Sequence, residues 1–382
     1  MEILIFDNKA NILYKSITMN VFNQTNSDDN EQPPVHHRRP RYSGTHPKTF
    51  QQKYKEHNLA AHPELRDKLR AKGKTPAGSH IPVLLEEIIE CLEPKPGQIV
   101  ADCTVGYGGH SREFIKRIGP TGKLIAFDVD GDELERTRKR LGVAETPISF
   151  YHSNFAGIAN ALNNEKLDGF DIIFADLGVS SMQIDNPQRG ISYKNEGPLD
   201  MRMDSRLKQT GADLINTLPE EELAKTLLEF SDEPDAEKIA RMVVAQRKVQ
   251  QITTVSQLVR LVFAVKGFTI NSWKKQQRSS KFGSLHPAAR TFQAMRILVN
   301  DELGVLKELL RIAPYCLRPG GRIGIISFHS GEDRLVKQSF RDGVESGIYQ
   351  SASKKAILPR IKEVVSNPRC SSAKFRWAVR AV

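Results

Sequence analysis

The sequence has little of what membrane-spanning, disulfide-stabilised or metal-binding proteins need. Its 382 residues include only four cysteines, far apart and without a Cys-x-x-Cys pair. This spacing predicts neither a disulfide framework nor a structural zinc site, and it fits a reducing compartment. No run reaches the roughly 18 to 20 consecutive apolar residues of a membrane-spanning helix. His-x-x-x-His and carboxylate-rich calcium loops are also missing, so we expect no metal site.

The chain is instead apolar enough to fold and strongly basic. Hydrophobic residues make up 39% and charged residues 26% of the sequence, which is typical of a globular protein, and the length predicts two domains. The formal charge of +11 is uneven: residues 38–74 hold 11 Lys and Arg against 3 Asp and Glu, and residues 351–382 hold 8 against one. Two basic regions favour a polyanionic partner, most often nucleic acid. The alternative is charge that merely keeps the protein in solution.

The first 79 residues read as an extension of the folded protein. Asn and Gln are frequent in residues 20–32 and prolines follow, so apolar periodicity is missing and we predict a disordered, basic extension. Residues 1–31 contain two cations and five anions, a poor match to an organelle transit peptide. The basic stretch that follows fits either an RNA clamp or a solubilising arm.

A nucleotide-binding pattern begins after residue 80. A short apolar run at 99–101 leads into a glycine cluster at 106–109 and a helical pattern, and a second apolar run ends at Asp128. An acidic residue about 20 positions after the glycines accepts hydrogen bonds from a ribose in βαβ nucleotide sites. Glycines allow backbone to approach a ligand closely. The loop alone leaves open a nicotinamide dinucleotide site or a plain tight turn.

Two further predicted strands lead to the same edge of a sheet. Residues 148–152 precede Phe155, and residues 170–175 end at Asp176. Because the carboxyl ends of parallel strands face the ligand crevice, Asp102, Asp128, Phe155 and Asp176 are expected to converge. Phe155 could stack on an adenine or simply fill the core. Residues 373–379 alternate in polarity and predict a closing edge strand.

Residues near the end of the chain point to one class of enzymes. An amphipathic helix at 303–312, an Arg-Pro-Gly-Gly turn at 318–321 and an apolar strand at 322–327 resemble the approach to the fifth strand of class I S-adenosylmethionine-dependent methyltransferases. Eight ordered segments then resemble the bacterial small-subunit ribosomal RNA cytosine-N4 methyltransferases, the RsmH or MraW family: 80–85 (HIPVLL), 106–111 (GYGGHS), 176–183 (DLGVSSMQ), 197–204 (GPLDMRMD), 290–296 (RTFQAMR), 299–303 (VNDEL), 327–334 (SFHSGEDR) and 367–369 (NPR).

The resemblance implies a fold and a division of the chain. The fold class is α/β, a Rossmann-like and mostly parallel seven-stranded sheet with an inserted small helical domain. Residues 80–195 and 287–382 are expected to form the two parts of the methyltransferase domain, and residues 196–286 the inserted RNA-recognition domain. Leucine spacing in the insertion is helical and agrees with this assignment.

The resemblance also implies the residues that bind the cofactor, S-adenosyl-L-methionine. By position these are Gly108, Gly109, His110, Asp128, Phe155, Asp176 and Gln183. Asp176 lies where amino methyltransferases have a D/N-P-P-Y/F element, which this sequence lacks, so the acceptor for the amino proton stays open between Asp176 and His329. Residues expected to contact RNA are Asp200, Arg202, Asp204, Lys274, Lys275, Arg296 and Arg334. For the acids and arginine of residues 200–204, the alternative is an internal salt-bridge cluster.

Three positions depart from the family's usual pattern, and the implied function is specific. Gly331, Ala289 and Ser371 stand where other residues are usual, which puts in doubt the packing beside His329 and one C-terminal phosphate contact. The implied reaction is N4-methylation of a cytidine in 16S ribosomal RNA near the decoding centre, a step of ribosome biogenesis in the bacterial cytoplasm, or in a mitochondrion or plastid. A homodimer is compatible with the sequence. The alternatives are an NAD-dependent oxidoreductase and a non-catalytic RNA-binding assembly factor.

Overall fold

The computed structural model describes residues 82–269, 271–273, 276 and 285–382. The predicted N-terminal extension lies outside these residues. Lys274 and Lys275, expected to contact RNA, also lie outside them. Among the helices of the described ranges, none is both long and apolar enough to cross a membrane.

A seven-stranded sheet forms the centre of the fold. Its order is β3-β2-β1-β4-β5-β7-β6, with β1 to β5 parallel and β7 antiparallel to both of its neighbours. This mostly parallel sheet confirms the predicted class I methyltransferase fold. The strands are β1 (Ile99–Asp102), β2 (Lys123–Asp128), β3 (Ile148–His152), β4 (Phe170–Asp176), β5 (Leu317–Ser327), β6 (Tyr349–Ala352) and β7 (Lys374–Arg380).

Two predictions about the C-terminal strands were wrong. The predicted edge strand, β7, lies between β5 and β6, so the edge is β6, which the sequence pattern did not reveal. The strand β5 already begins at Leu317 and includes the Arg-Pro-Gly-Gly segment, where we expected a sharp turn. The pairing with β4 is irregular there, between Phe170 and Ile172, and Gly320 has a φ of +76°. An irregularity in strand pairing therefore stands where the turn was expected.

Helices cover both faces of the sheet. One face packs Phe127 and Ile173 against Leu309 and Phe340, and the other packs Phe174 against Phe114. The helices outside residues 196–286 are α1 (Leu85–Leu92), α2 (Gly109–Ile118), α3 (Gly131–Leu141), α4 (Ile158–Glu165), α5 (Ser181–Asp185), α10 (Ala289–Asn300), α11 (Glu302–Cys316), α12 (Ser330–Glu345) and α13 (Ile361–Ser366).

A separate hydrophobic cluster lies in the predicted insertion. Four helices have their buried faces there: α6 (Gly211–Thr217), α7 (Glu220–Ser231), α8 (Ala236–Val249) and α9 (Val255–Val265). Helix α10 also contributes, through Phe292, Met295 and Val299, so this cluster continues beyond residue 286. The exact division into domains stays a prediction.

Candidate active site

The loop after β1 is held by a buried carboxylate. Asp102 is 1% exposed, and its oxygens accept hydrogen bonds from the Ser111 hydroxyl at 2.6 Å and the Thr104 backbone N–H at 3.1 Å. Burial raises the pKa of Asp102 to about 6, although both hydrogen bonds act in the opposite direction. The Asp102 carboxylate therefore holds both ends of the glycine loop, through Thr104 and Ser111.

The end of β2 meets the same loop. Asp128 accepts one hydrogen bond from the Gly106 backbone N–H and another from that of Asp130, both at 2.8 Å. Burial is the main cause that raises the pKa of Asp128 to about 7. Its two oxygens offer about four lone-pair sites, and these backbone bonds occupy two, so the carboxylate can still accept bonds from a ribose.

The end of β4 closes the site. The Asp176 backbone N–H donates to the Thr104 hydroxyl at 2.7 Å, which ties β4 to the loop after β1. In the carboxylate, Oδ2 lies 3.8 Å from His110 Nδ1, and the buried Oδ1 has no hydrogen-bond partner among the described residues. Burial, then the charges of Asp102 and Glu332, raise the pKa of Asp176 to about 8. A buried acceptor without a donor marks a place where a ligand can donate.

The His110 ring is fixed as the neutral imidazole beside Asp176. Its Nε2 lies 3.0 Å from the Val83 carbonyl oxygen, which can only accept, so Nε2 carries the proton and Nδ1 faces Asp176. Burial lowers the pKa of His110 to about 4. The imidazole thus adds no positive charge to the site at neutral pH.

Two glycines of the loop are needed for internal packing. Gly108 has a φ of +82°, and a Cβ there would lie 3.0 Å from Leu141 Cδ1. A Cβ at Gly109 would lie 2.7 Å from Pro82 Cγ, at the start of the described chain. Side chains are therefore excluded here by the protein itself, whereas the sequence argument ascribed the glycines to the approach of a ligand.

Sequence reasoning missed an ion pair beside the site, between Asp130 and Arg189. Asp130 is 5% exposed and accepts hydrogen bonds from Gln183 Nε2 at 3.2 Å and Arg189 Nη2 at 2.7 Å. Arg189 Nη1 also donates to the carbonyl oxygens of Arg202 and Met203, at 3.2 and 3.1 Å. One guanidinium thus joins the loop after β2 to the segment 198–204. Asp130 follows Asp128 closely, but no spacing in the sequence singled out Arg189.

Asn300, at the end of α10, holds the same segment from the other side. Its Nδ2 donates to the Met201 carbonyl oxygen at 2.8 Å, and its Oδ1 accepts from the Met203 backbone N–H at 2.7 Å. Met201 has a φ of +66°, unusual for a residue with a side chain. In the sequence, the only indication that Asn300 matters was its place in the family motif VNDEL, residues 299–303.

The sequence matches of the chain agree with this geometry. Residues 77–381 match the family model described as the MraW methylase family. The chain belongs to this family. It is 43% identical over 361 residues to ribosomal RNA small subunit methyltransferase H 1 of Lachnoclostridium phytofermentans, covering 94% of this chain and 96% of the relative. With ribosomal RNA small subunit methyltransferase H of Acidobacterium capsulatum the identity is 41% over 306 residues, covering 78% and 97%.

Solved structures are more distant than these relatives. An rRNA methylase from Streptococcus thermophilus aligns at 11% identity with a TM-score of 0.33, covering 78% of this chain and 94% of that one. The assignment of the fold rests on the observed strand order.

Two further positions expected to bind the cofactor lie in the short elements that follow β3 and β4. Phe155 begins a 3-10 turn directly after β3 and is partly buried against the core. Gln183 lies in α5, where it forms a reciprocal capping box with Ser180, and its Nε2 donates to Asp130. Both ends of the Gln183 amide therefore have protein partners. Cofactor contact by either residue stays a prediction.

His329 caps a helix at the end of the neighbouring strand. Its Nδ1 accepts from the Glu332 backbone N–H at 3.4 Å, and its Nε2 lies 3.2 Å from Glu332 Oε1. Burial alone would raise the pKa of Glu332, but His329 and backbone donors lower it overall. A Cβ at Gly331 would lie 3.1 Å from His329 Nδ1, so the departure from the family pattern leaves this ring more space. The histidine is near the site and already has a structural role.

The predicted RNA-contacting residues of segment 198–204 pair with close neighbours. Arg202 donates from Nε and Nη2 to Asp200 at 2.8 Å each, and Arg206 pairs with Asp204 at 2.7 Å. These contacts match the alternative stated above, an internal salt-bridge cluster. Contact with RNA stays a prediction for these residues.

The remaining predicted RNA contacts differ in accessibility. Arg296 is mostly buried and makes a two-pronged ion pair with Glu302, at 2.7 and 2.9 Å, so its guanidinium is occupied. Arg334 is 69% exposed and lies 3.9 Å from Asp232. Lys274 and Lys275 are outside the described residues.

Proposed function

We propose that this chain methylates the N4 amino group of a cytidine in 16S ribosomal RNA near the decoding centre, with S-adenosyl-L-methionine as methyl donor. Membership of the MraW methylase family supports methyl transfer to small-subunit ribosomal RNA. The observation that carries the assignment of the site is the arrangement of Asp102, Asp128 and Asp176, three carboxylates at the ends of adjacent strands. Within the described residues, none of the three is paired with a lysine or an arginine.

Two other buried acids among the described residues have a cation beside them. Glu233 is fully buried and pairs with Lys266 at 2.7 Å, and Asp130 pairs with Arg189. Leaving carboxylates buried without a cation is unfavourable, and it suits a ligand that brings positive charge. S-adenosylmethionine carries a sulfonium and an ammonium group. A nicotinamide dinucleotide would instead bring an anionic pyrophosphate beside these acids, which disfavours the oxidoreductase alternative.

The residues of the site fit the cofactor and give each acid a task. When bound, S-adenosylmethionine supplies an activated methyl group. Asp128 accepts hydrogen bonds from the ribose, and Phe155 covers the adenine. Asp176 would offer its free Oδ1 to an N4 hydrogen of the cytosine and so orient the amino nitrogen for methyl transfer.

The transfer forms the N4–carbon bond, breaks the sulfur–carbon bond and releases one proton from N4. Asp176 is the first candidate to accept that proton: burial makes its carboxylate more basic, and the positive charge of bound S-adenosylmethionine would favour the ionised form, which a pKa of about 8 makes the minor one at neutral pH. His329 is the second candidate, and its contacts with Glu332 would have to open first. The target base must leave the RNA stack to reach the site.

The rest of the chain is assigned to RNA and its surroundings. The helical region within residues 196–286 holds the RNA, with Arg334 and the basic residues 274 and 275 as contacts. The 16S RNA is presented free or in a partly assembled small subunit. We place the protein in the bacterial cytoplasm, with a mitochondrion or plastid as the alternative, and a homodimer is compatible with this function.

Mass spectrometry of small-subunit RNA tests the proposal directly. RNA from cells that lack the gene should lose one N4-methylcytidine. The wild-type gene and the exposed-acid control Asp342→Asn should restore it, whereas Asp176→Asn should not. A methylation pattern that is unchanged without the gene would refute the function. Restoration by Asp176→Asn would refute the role of that carboxylate, and tight NAD binding without S-adenosylmethionine binding would favour the oxidoreductase.

A further inference from the structure

An exposed surface with both apolar and basic side chains lies between β6 and β7. We call it the 354–365 surface, and its residues are Lys354, Lys355, Leu358, Ile361, Lys362 and Val365. The exposed fractions are 60% for Leu358, 84% for Ile361 and 77% for Val365. Single exposed apolar residues are common, but Ile361 and Val365 are one helical turn apart and share a face of α13. Three such residues within eight positions indicate a contact surface.

The lysines of this surface are free, in contrast to nearby arginines. Lys354, Lys355 and Lys362 are exposed and make no hydrogen bond or ion pair with any residue that the structure describes. Arg360, by comparison, pairs with Glu86 and Glu87, at 3.1 and 2.9 Å. The arginines therefore fasten the segment to the protein, while the lysines point their charge at solvent.

The only acid of this region is already engaged. Glu363 is the single acidic residue in 351–382, and its Oε1 accepts a hydrogen bond from the Leu84 backbone N–H at 2.8 Å. Residues 354–365 thus hold four cations, the three lysines and Arg360, against this one acid, and the surface stays positive. A surface of this charge suits a polyanion better than a neutral protein surface.

The same contacts fix the segment at the border of the proposed methyl-transfer site. Leu84 follows Val83, whose carbonyl oxygen contacts His110 in the site. On the other side, Arg369 Nη2 donates to Asp185 Oδ1 at 2.7 Å, in the short helix that follows Asp176 and β4. The segment 360–369 therefore contacts both the chain beside Val83 and the helix α5 that follows β4.

We propose that the 354–365 surface binds the ribose–phosphate backbone of the RNA beside the target cytidine. The three lysines contact phosphates, and Leu358, Ile361 and Val365 cover the sugar and base of an unstacked neighbouring nucleotide. This proposal rests on the proposed function, since it names where the RNA substrate of the same site is held.

Two triple variants with the same change of charge test it. Lys354, Lys355 and Lys362 are replaced by glutamine in one protein, and Lys139, Lys307 and Lys337 in the control. The control lysines are exposed as well and make no ion pair or hydrogen bond with described residues. The first triple should raise the KM for naked 16S RNA roughly 10- to 100-fold at about 0.1 M salt and reduce the slope of log affinity against log salt by about 3. The Kd for S-adenosylmethionine and kcat should stay as in the wild type.

An equal KM for the two triples would overturn the proposal. The double variant Ile361→Ser/Val365→Ser distinguishes a protein partner. A loss of activity of this variant on assembled subunits alone, with normal activity of the lysine triple on naked RNA, would assign the surface to a ribosomal protein instead. If the wild type methylates no RNA, the proposed function fails by itself. Filter binding of 16S RNA by the two triples then still decides whether this surface holds RNA.

Discussion

Replacing Arg189 by methionine should disconnect the loop after β2 from the segment 198–204. The guanidinium donates to Asp130 at 2.7 Å and to the carbonyl oxygens of Arg202 and Met203 at 3.2 and 3.1 Å. Methionine has similar length but no donor. The Asp130 carboxylate would stay buried with only its bonds from Gln183 and the Glu133 backbone N–H.

The size of the effect follows from these three bonds. Hydrogen bonds that involve a charged group contribute about 1.5–3 kcal/mol each. Arg189 is 21% exposed, so water replaces part of the loss, and removal of one partner from a buried ion pair typically costs about 3–5 kcal/mol. We expect the free energy of unfolding to fall by about 3 kcal/mol. For a domain of this size, that lowers Tm by about 6–12 °C.

Thermal unfolding and steady-state kinetics measure the two consequences separately. Because segment 198–204 is expected to face RNA, Arg189→Met should raise the KM for RNA more than the Kd for S-adenosylmethionine. Arg189→Lys should have an intermediate effect, since an ammonium group keeps the charge but cannot reach all three oxygens. The control Arg341→Met removes an exposed arginine whose ion pairs, with Asp342 and Glu345, contribute about 0–1 kcal/mol.

Either of two results would refute this reasoning. A Tm for Arg189→Met equal to that of Arg341→Met would mean that the guanidinium does not hold the segment. A large fall in Tm with an unchanged KM for RNA would mean that the segment is held there but does not serve the substrate.

Three more substitutions have defined outcomes. Gly109→Ala should destabilise the protein by about 1–3 kcal/mol in urea unfolding, because its Cβ would lie 2.7 Å from Pro82 Cγ, and adding Pro82→Ala should restore stability; no restoration would contradict the clash. Gly190→Ala should be far more damaging than Gly320→Ala, since both have positive φ but only the first Cβ meets a backbone oxygen, at 2.0 Å; equal losses would rule out the steric cause. Burial raises the pKa of Asp176 to about 8 in the folded protein, so the free energy of unfolding that this group removes grows as the pH rises from 4 to 8. Asp176→Asn should therefore raise Tm at pH 8 and leave it unchanged at pH 4. A Tm that does not rise at pH 8 would contradict the pKa shift.

The parts of the fold that the sequence predicted correctly depend on local patterns. Short apolar runs end at Asp102, Asp128 and Asp176, and each run is a parallel strand that ends at that acid. Strand order is not a local property, however. Alternation in residues 373–379 predicts a strand, but the same pattern fits an edge and an antiparallel position between two neighbours. The insertion of β7 between β5 and β6 was therefore not visible.

Side-chain partners were harder to predict than strands. The sequence predicted that Arg296 and Arg202 contact RNA. In the structure Arg296 pairs with Glu302, and Arg202 pairs with Asp200. The Arg189–Asp130 pair joins residues from different loops that only the fold brings together. A sequence gives the number of charges but not which of them remain without a partner, and that difference decides which are available to a ligand.

The buried acids without a cation also predict that S-adenosylmethionine binds before RNA. RNA is a polyanion, and Asp128 in its ionised form would repel the phosphates unless its charge is first offset. Positive charge from S-adenosylmethionine supplies that offset, whereas S-adenosylhomocysteine has a neutral sulfur. We therefore expect the Kd for 16S RNA to be lower in the presence of S-adenosylmethionine than with S-adenosylhomocysteine, when measured by fluorescence anisotropy with Asp176→Ala to prevent turnover and Asp128 left intact. An equal Kd with both compounds would mean that the Asp128 carboxylate, although buried and without a cation, does not govern the approach of RNA.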